Sequence, residues 1–179
     1  MNKNKFLTVF LASFFALPLA TLITEKLLST LFPYDFASQI IFAPAIEETG
    51  KIALFLFFAK KFFLDDEESR DANDAKLLLF IGFAFGLAEN ILFAFAAYSS
   101  YSALHFVERI IVAQIFHTLI PLTYLYARKR LGNLYAVLLP VLLHAIWNGF
   151  IYFELNSIFV YLFVSLLTVF TIYKLLRIK

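Results

Sequence analysis

Three carboxylates and two imidazoles stand in stretches that are otherwise apolar enough to dissolve in lipid. Glu47 and Glu48 lie in APAIEETGKIALFLFF (43–58), Glu89 in GFAFGLAEN (82–90), and His117 and His144 further along the chain. Beside them are Asn90, Asn148 and two cations, Lys51 and Arg109. An ionised side chain at the centre of a bilayer costs at least about 2.5–3.5 kcal/mol, so residues of this kind mark a function by default. On a helix Lys51 can reach back to Glu48 or Glu47, and Asn148 shares a stripe with His144 one turn before it. A glutamate in apolar surroundings can take a proton from water and return it later, while an ammonium holds a neighbouring carboxylate charged. Histidine and asparagine N–H groups one turn apart can stabilise the oxyanion formed when water attacks an amide carbonyl. The chemistry expected is therefore peptide-bond hydrolysis by activated water, with either Glu47 or Glu48 as the base.

Other hydrolytic designs do not fit. The aspartates Asp35, Asp65, Asp66, Asp71 and Asp74 all fall between apolar stretches, so no pair of aspartates is available inside a span. No G-x-S-x-G surrounds a serine, and none of His105, His117 and His144 opens an H-E-x-x-H. The chain has no cysteine, which removes disulfides, thiolate metal sites and a cysteine nucleophile.

The elements that must position these groups are membrane helices. Of 179 residues 62% are hydrophobic, 24 are Phe and only 16% are charged, too little polar surface to cover a soluble core. At roughly 20 residues per span the length allows about six crossings and no separate soluble domain, so residues 1–179 are expected to form one all-α, multi-pass membrane bundle. Candidate spans fall at about 6–23, 37–59, 77–98, 107–127, 134–153 and 156–176. With the N-terminus cytoplasmic, twelve Lys and Arg residues collect on that side and only Lys26 on the other, so both termini are expected in the cytoplasm. The first span is read as a retained helix rather than a signal peptide, because Pro18 stands where a small residue is expected. Residues 60–76 read as a solvated charged loop, and 24–36 as a short amphipathic helix along the interface. Glu47, Glu48, Glu89, Asn90, His117 and His144 then share one depth, and the simplest reason for four helices to carry polar groups at one level is that the groups meet. Pro44 and Pro140, one turn before Glu47 and His144, are expected to bend their helices around a wet cavity.

The residues at this point resemble a known family, the PrsW proteases. EETGK (47–51) is similar to their E-E-x-x-K, and GFAFGLAEN (82–90) to their G-x-x-F-[AG]-x-x-E-N. Arg109 with His117, and the H-x-x-x-N of His144 and Asn148, follow in the same order, so the resemblance spans 47–148. PrsW belongs to a wider group of glutamic membrane proteases that includes the CAAX prenyl endopeptidases and the CPBP immunity proteins. Those have E-E-x-x-x-R and F-x-x-x-H, where this chain has the shorter E-E-x-x-K and Phe85 followed by Glu89. The resemblance implies an integral membrane protease of the cell membrane that cuts a membrane-anchored protein such as an anti-sigma factor. By motif it makes Glu47 and Glu48 the base pair, His117 an assistant, Glu89 an orienting group, and His144 with Asn148 the oxyanion donors.

Supporting roles fall to Lys51 as counter-ion, to Asn90, and to Arg109 as interfacial anchor or substrate contact. Asn90 or Asn148 taken alone reads as interhelical glue, worth about 0.6–2 kcal/mol. Trp147 and the many Phe read as packing or lipid-facing residues. Two glutamates and two histidines also form an oxygen–nitrogen ligand set suited to zinc, so a reaction without a cofactor is expected with zinc left open. The expected partners are an anchored protein substrate and the bilayer, with no nucleic acid. Midplane carboxylates also suit a proton-coupled transporter, and the same motifs suit a non-enzymatic scaffold or immunity protein.

Overall fold

Backbone polar groups in lipid must find their partners within the segment, and the chain folds accordingly. The computed structural model describes residues 3–31, 36–62, 70–97, 103–153 and 157–175, and every regular element among them is helical. These are α1 (Lys3–Leu11), α2 (Leu17–Leu31), α3 (Ala43–Phe62), α4 (Arg70–Ala97), α5 (Ala103–Leu119), α6 (Leu122–Arg130), α7 (Asn133–Tyr152) and α8 (Ser157–Leu175). The expected all-α multi-pass bundle is what forms.

Two π-helical turns, Ala12–Ala16 and Ala37–Phe42, lead directly into α2 and α3. Each ends two residues before a proline, Pro18 or Pro44. Proline lacks an N–H and its ring clashes with the carbonyl four residues back, so a widened turn relieves both problems at once. Leu17 N–H accordingly bonds to the Ala12 carbonyl and Ala43 N–H to the Ser38 carbonyl, each five residues back. The second case leaves the Gln39 carbonyl without a helical donor, because Ala43 is committed to Ser38 and residue 44 is proline. Pro44, expected to bend its helix before Glu47, is accommodated by this widened turn. Pro140 is buried inside α7, which continues past it.

Several boundaries differ from expectation. Residues 3–31 form one rod of 29 residues, so 24–31 are the last turns of α2 rather than a separate interfacial helix, and 32–35 lie outside the described residues. The helices α3 and α4 also consume most of the expected 60–76 loop, of which 63–69 lie outside the described residues. The single span expected at 107–127 tightens to a three-residue turn at Ile120–Pro121, where the Thr123 and Tyr124 N–H groups bond to the Ile120 and Pro121 carbonyls, and the run continues to Arg130. Four helical runs are long and apolar enough to cross a membrane: residues 3–31, Asp71–Phe95, Ile110–Arg130 and Asn133–Tyr152. The 20 residues of α3 have the length to cross but carry Glu47, Glu48, Lys51, Lys60 and Lys61, and α8 contributes a shorter apolar stretch, Phe159–Thr171.

The helix α3 packs against α2, α4 and α7, α4 packs against α5, and α8 leans on α5. One apolar cluster, with Ile52, Phe55, Leu78, Ile81 and Tyr124, joins α3, α4 and α6. A second, with Phe116, Ile120, Trp147 and Val164, joins α5, α7 and α8. The polar groups lie where the two clusters meet, since Ile52 follows Lys51 and Phe116 precedes His117. Large apolar side chains such as Leu19, Phe95, Leu166 and Val169 face outward, as a lipid-exposed surface requires.

Candidate active site

One turn of α3 supplies the negative charge. Glu48 and Lys51 are fully buried, and the Lys51 ammonium donates to Glu48 Oε1 at 2.6 Å while lying 3.7 Å from Glu47 Oε2. The same Glu48 oxygen accepts from His144 Nδ1 of α7 at 2.8 Å, so a neutral His144 keeps its bare nitrogen at Nε2. The ammonium also lies 3.2 Å from His117 Nδ1 of α5 and sits over the Phe85 ring, 4.2 Å from its centroid. An ammonium can only donate, so Nδ1 is the acceptor and the proton of a neutral His117 resides on Nε2. That nitrogen faces Glu89 Oε2 of α4 at 2.8 Å. The contact is an ion-pair one, and among the described residues Glu89 Oε2 has no other polar partner within hydrogen-bond distance.

The two imidazoles stand 5.1 Å apart, centre to centre, and Phe116 packs against His144 on one side and stacks on Trp147 on the other. Trp147 is thus an internal support for the site, within the packing role read from sequence. His117 gets its place from close approach of α4 and α5. Gly82 and Gly86 form a G-x-x-x-G, the small-residue spacing that lets membrane helices touch. A Cβ on Gly82 would run into the His117 carbonyl oxygen, and one on Gly86 would come within 2.9 Å of the His117 Cβ.

The five residues expected to meet do meet: Glu47, Glu48, Glu89, His117 and His144 converge from α3, α4, α5 and α7 together with Lys51. The asparagines go elsewhere. Asn148 donates to the Gln39 carbonyl at 2.8 Å, the acceptor that the π-turn and Pro44 leave open. Asn90 donates to the Ile110 carbonyl and to Gln114 Oε1, sewing α4 to α5. Arg109 lies in α5, and its side chain is outside the described residues. Two contributors carry no sequence motif. Gln114, three residues before His117, also donates to the Phe83 carbonyl at 3.0 Å and so locks the α4–α5 seam. Glu25, the lone acid of the 3–31 rod, is half-buried on α2 within electrostatic reach of Glu47 and Glu89. Its isolation in an apolar helix was the signal that could have found it.

Against known families, residues 3–174 match the model of PrsW family intramembrane metalloproteases, nearly the whole chain. The chain belongs to the PrsW family. No curated protein and no solved structure matches it significantly. As a PrsW member it is a membrane-embedded peptidase and a multi-pass membrane protein. The family description names a metal, and the residues fit one. Glu47, Glu48, His117 and His144 each offer a ligand atom within 4.8 Å of the others, all buried. Among the described residues Glu47 Oε2 and Glu48 Oε2 are buried without a hydrogen-bond partner, a donor set of hard oxygens beside imidazole nitrogens that suits zinc.

Proposed function

We propose that the chain hydrolyses a peptide bond of a membrane-anchored protein, with Glu47 as the residue that takes the proton from water. The observation that carries this is the inequality of the two adjacent glutamates. Glu48 is tied down through Oε1 by Lys51 and His144, whereas among the described residues Glu47 accepts no hydrogen bond, its Oε2 lying 3.7 Å from the Lys51 ammonium and 4.0 Å from His144 Nδ1. A tethered carboxylate orients; a free one is able to exchange a proton. Glu47 removes the proton as water adds to the carbonyl, then returns it to the departing amine.

The other residues position and stabilise. Glu89 holds the Nε2–H side of His117, and with a side chain about one-third exposed (36%) it marks the side from which water reaches the cluster. Glu48 behind His144 fixes the orientation of its ring toward the reacting carbonyl, in the manner of a carboxylate-backed histidine. Asn148 is a positioning residue in this scheme, holding α7 against the turn that delivers Glu47. A divalent ion held by Glu48, His117 and His144, with Glu47 beside it as the base, would supply Lewis-acid polarisation to the same reaction. An anti-sigma factor is the substrate proposed on the resemblance of the motifs.

The test is cleavage of a single-span reporter protein by the purified chain in detergent. Wild type should cut it and Glu47→Gln should not, while retaining its fold. Undiminished cleavage by Glu47→Gln would remove Glu47 from the role.

A further inference from the structure

The Lys51 ammonium stands where a cation serving this ligand set would have to stand. It contacts three of the four candidate ligands: Glu48 at 2.6 Å, His117 at 3.2 Å and Glu47 at 3.7 Å. The carboxylate oxygens and the ring nitrogen that would face a metal ion thus already face a cation, which uses its three N–H donors on that side. The lysine is held there by more than charge, since its ammonium lies over the Phe85 ring and its side chain is wholly buried.

The geometry points to Lys51 as a built-in competitor for the metal position: the site takes a divalent ion only when the ammonium moves aside, and Lys51 sets the affinity. This rests on the metal-binding reading of the site. The lysine has two effects on this view. It keeps the buried carboxylates from repelling one another, so the fold forms without a metal; and it makes the metal pay for displacing a +1 charge that is already well placed.

The experiment compares zinc binding by the full chain in detergent, after stripping with a chelator, for wild type and Lys51→Met. Methionine keeps the bulk and removes the charge. Lys51→Met should bind zinc roughly 10–100-fold more tightly than wild type, the range by which a neighbour of a metal site shifts affinity. In the wild type, the Lys51 side-chain NMR resonance should move as zinc saturates the site. Equal or weaker binding by Lys51→Met overturns the proposal and leaves the metal reading standing. No zinc binding by either protein overturns both. Should Lys51→Met fail to fold even with zinc, the wild-type resonance decides: a shift on zinc binding supports displacement, and an unmoved signal with zinc bound overturns it.

Discussion

Where α4 begins and α6 ends, each acid meets a base of its own: Asp74 meets Arg128 at 3.2 Å, and Asp71 meets Lys129. At the level of Lys51 the ratio is three to one, with Glu47, Glu48 and Glu89 around a single ammonium. Among the described residues three of their oxygens are buried without a hydrogen-bond partner. A completed pair needs nothing further and serves to join two helices. An incomplete set buried in apolar surroundings costs several kcal/mol per uncompensated ion, and it persists only where something outside the fold uses it. The contrast separates residues that hold the bundle from residues that do its chemistry, and substitutions can test it on both sides.

The largest effect is expected at the acid pair. Glu47→Gln should reduce cleavage by about 10²–10⁴-fold, the usual range for loss of a general base, with little change in melting temperature. Glu48→Gln should lose activity to a similar degree but also stability, because it leaves the Lys51 ammonium and His144 without their common acceptor. A steady-state assay on the reporter beside a thermal melt of each variant checks the pair. If both variants keep wild-type melting and only one loses activity, the division between a free and a tethered carboxylate gains its support from activity alone and the structural role of Glu48 is wrong.

Next comes the seam that carries His117. Gly82→Ala places a methyl against the backbone carbonyl of His117, which cannot swing away as a side chain could. Overpacking of this kind costs about 1–3 kcal/mol, and here it also pushes His117 from Glu89 and Lys51. Activity and melting temperature should fall together. A variant that melts early yet cleaves at the wild-type rate would show that the α4–α5 contact does not position the imidazole.

The sequence carried the site better than the path of the chain. Midplane depth and helical spacing were enough to bring Glu47, Glu48, Glu89, His117 and His144 together, because a polar group in lipid has few places to go. The asparagines followed a different logic. Asn148 shares a stripe with His144, but its partner is a carbonyl freed by a π-turn, and nothing in residue types reveals that Gln39 loses its helical donors until the turn before Pro44 is seen. The continuity of residues 3–31 was hidden differently, by the amphipathic run that begins at Glu25, which reads as a separate interfacial helix although α2 continues through it to Leu31. Gly82 and Gly86 were legible as part of a motif but not as a packing device, since spacing does not say which helix will approach.

On the paired side of the comparison, Asp74→Asn should cost roughly 1–3 kcal/mol of stability by weakening a mostly buried partner of Arg128. Reporter cleavage per folded molecule should stay within a factor of about two. A large loss of activity at unchanged stability would place this pair with the site and blur the distinction.

Glu25 is the test of where the boundary lies, and its effect should be the smallest. Among the described residues it makes no hydrogen bond and no ion pair, so it has nothing structural to lose, unlike Asp74. It acts on Glu47 and Glu89 only through the field, as one more negative charge beside an already negative set. Field effects at a half-buried position are damped by solvent and ions, and neutralising one is worth on the order of 1 kcal/mol, about three- to tenfold in rate. Glu25→Gln should therefore lower kcat/KM by that amount with an unchanged melting temperature. A fall in melting temperature without a change in cleavage would instead assign Glu25 to the fold, and the acidic site would end at α3 and α4.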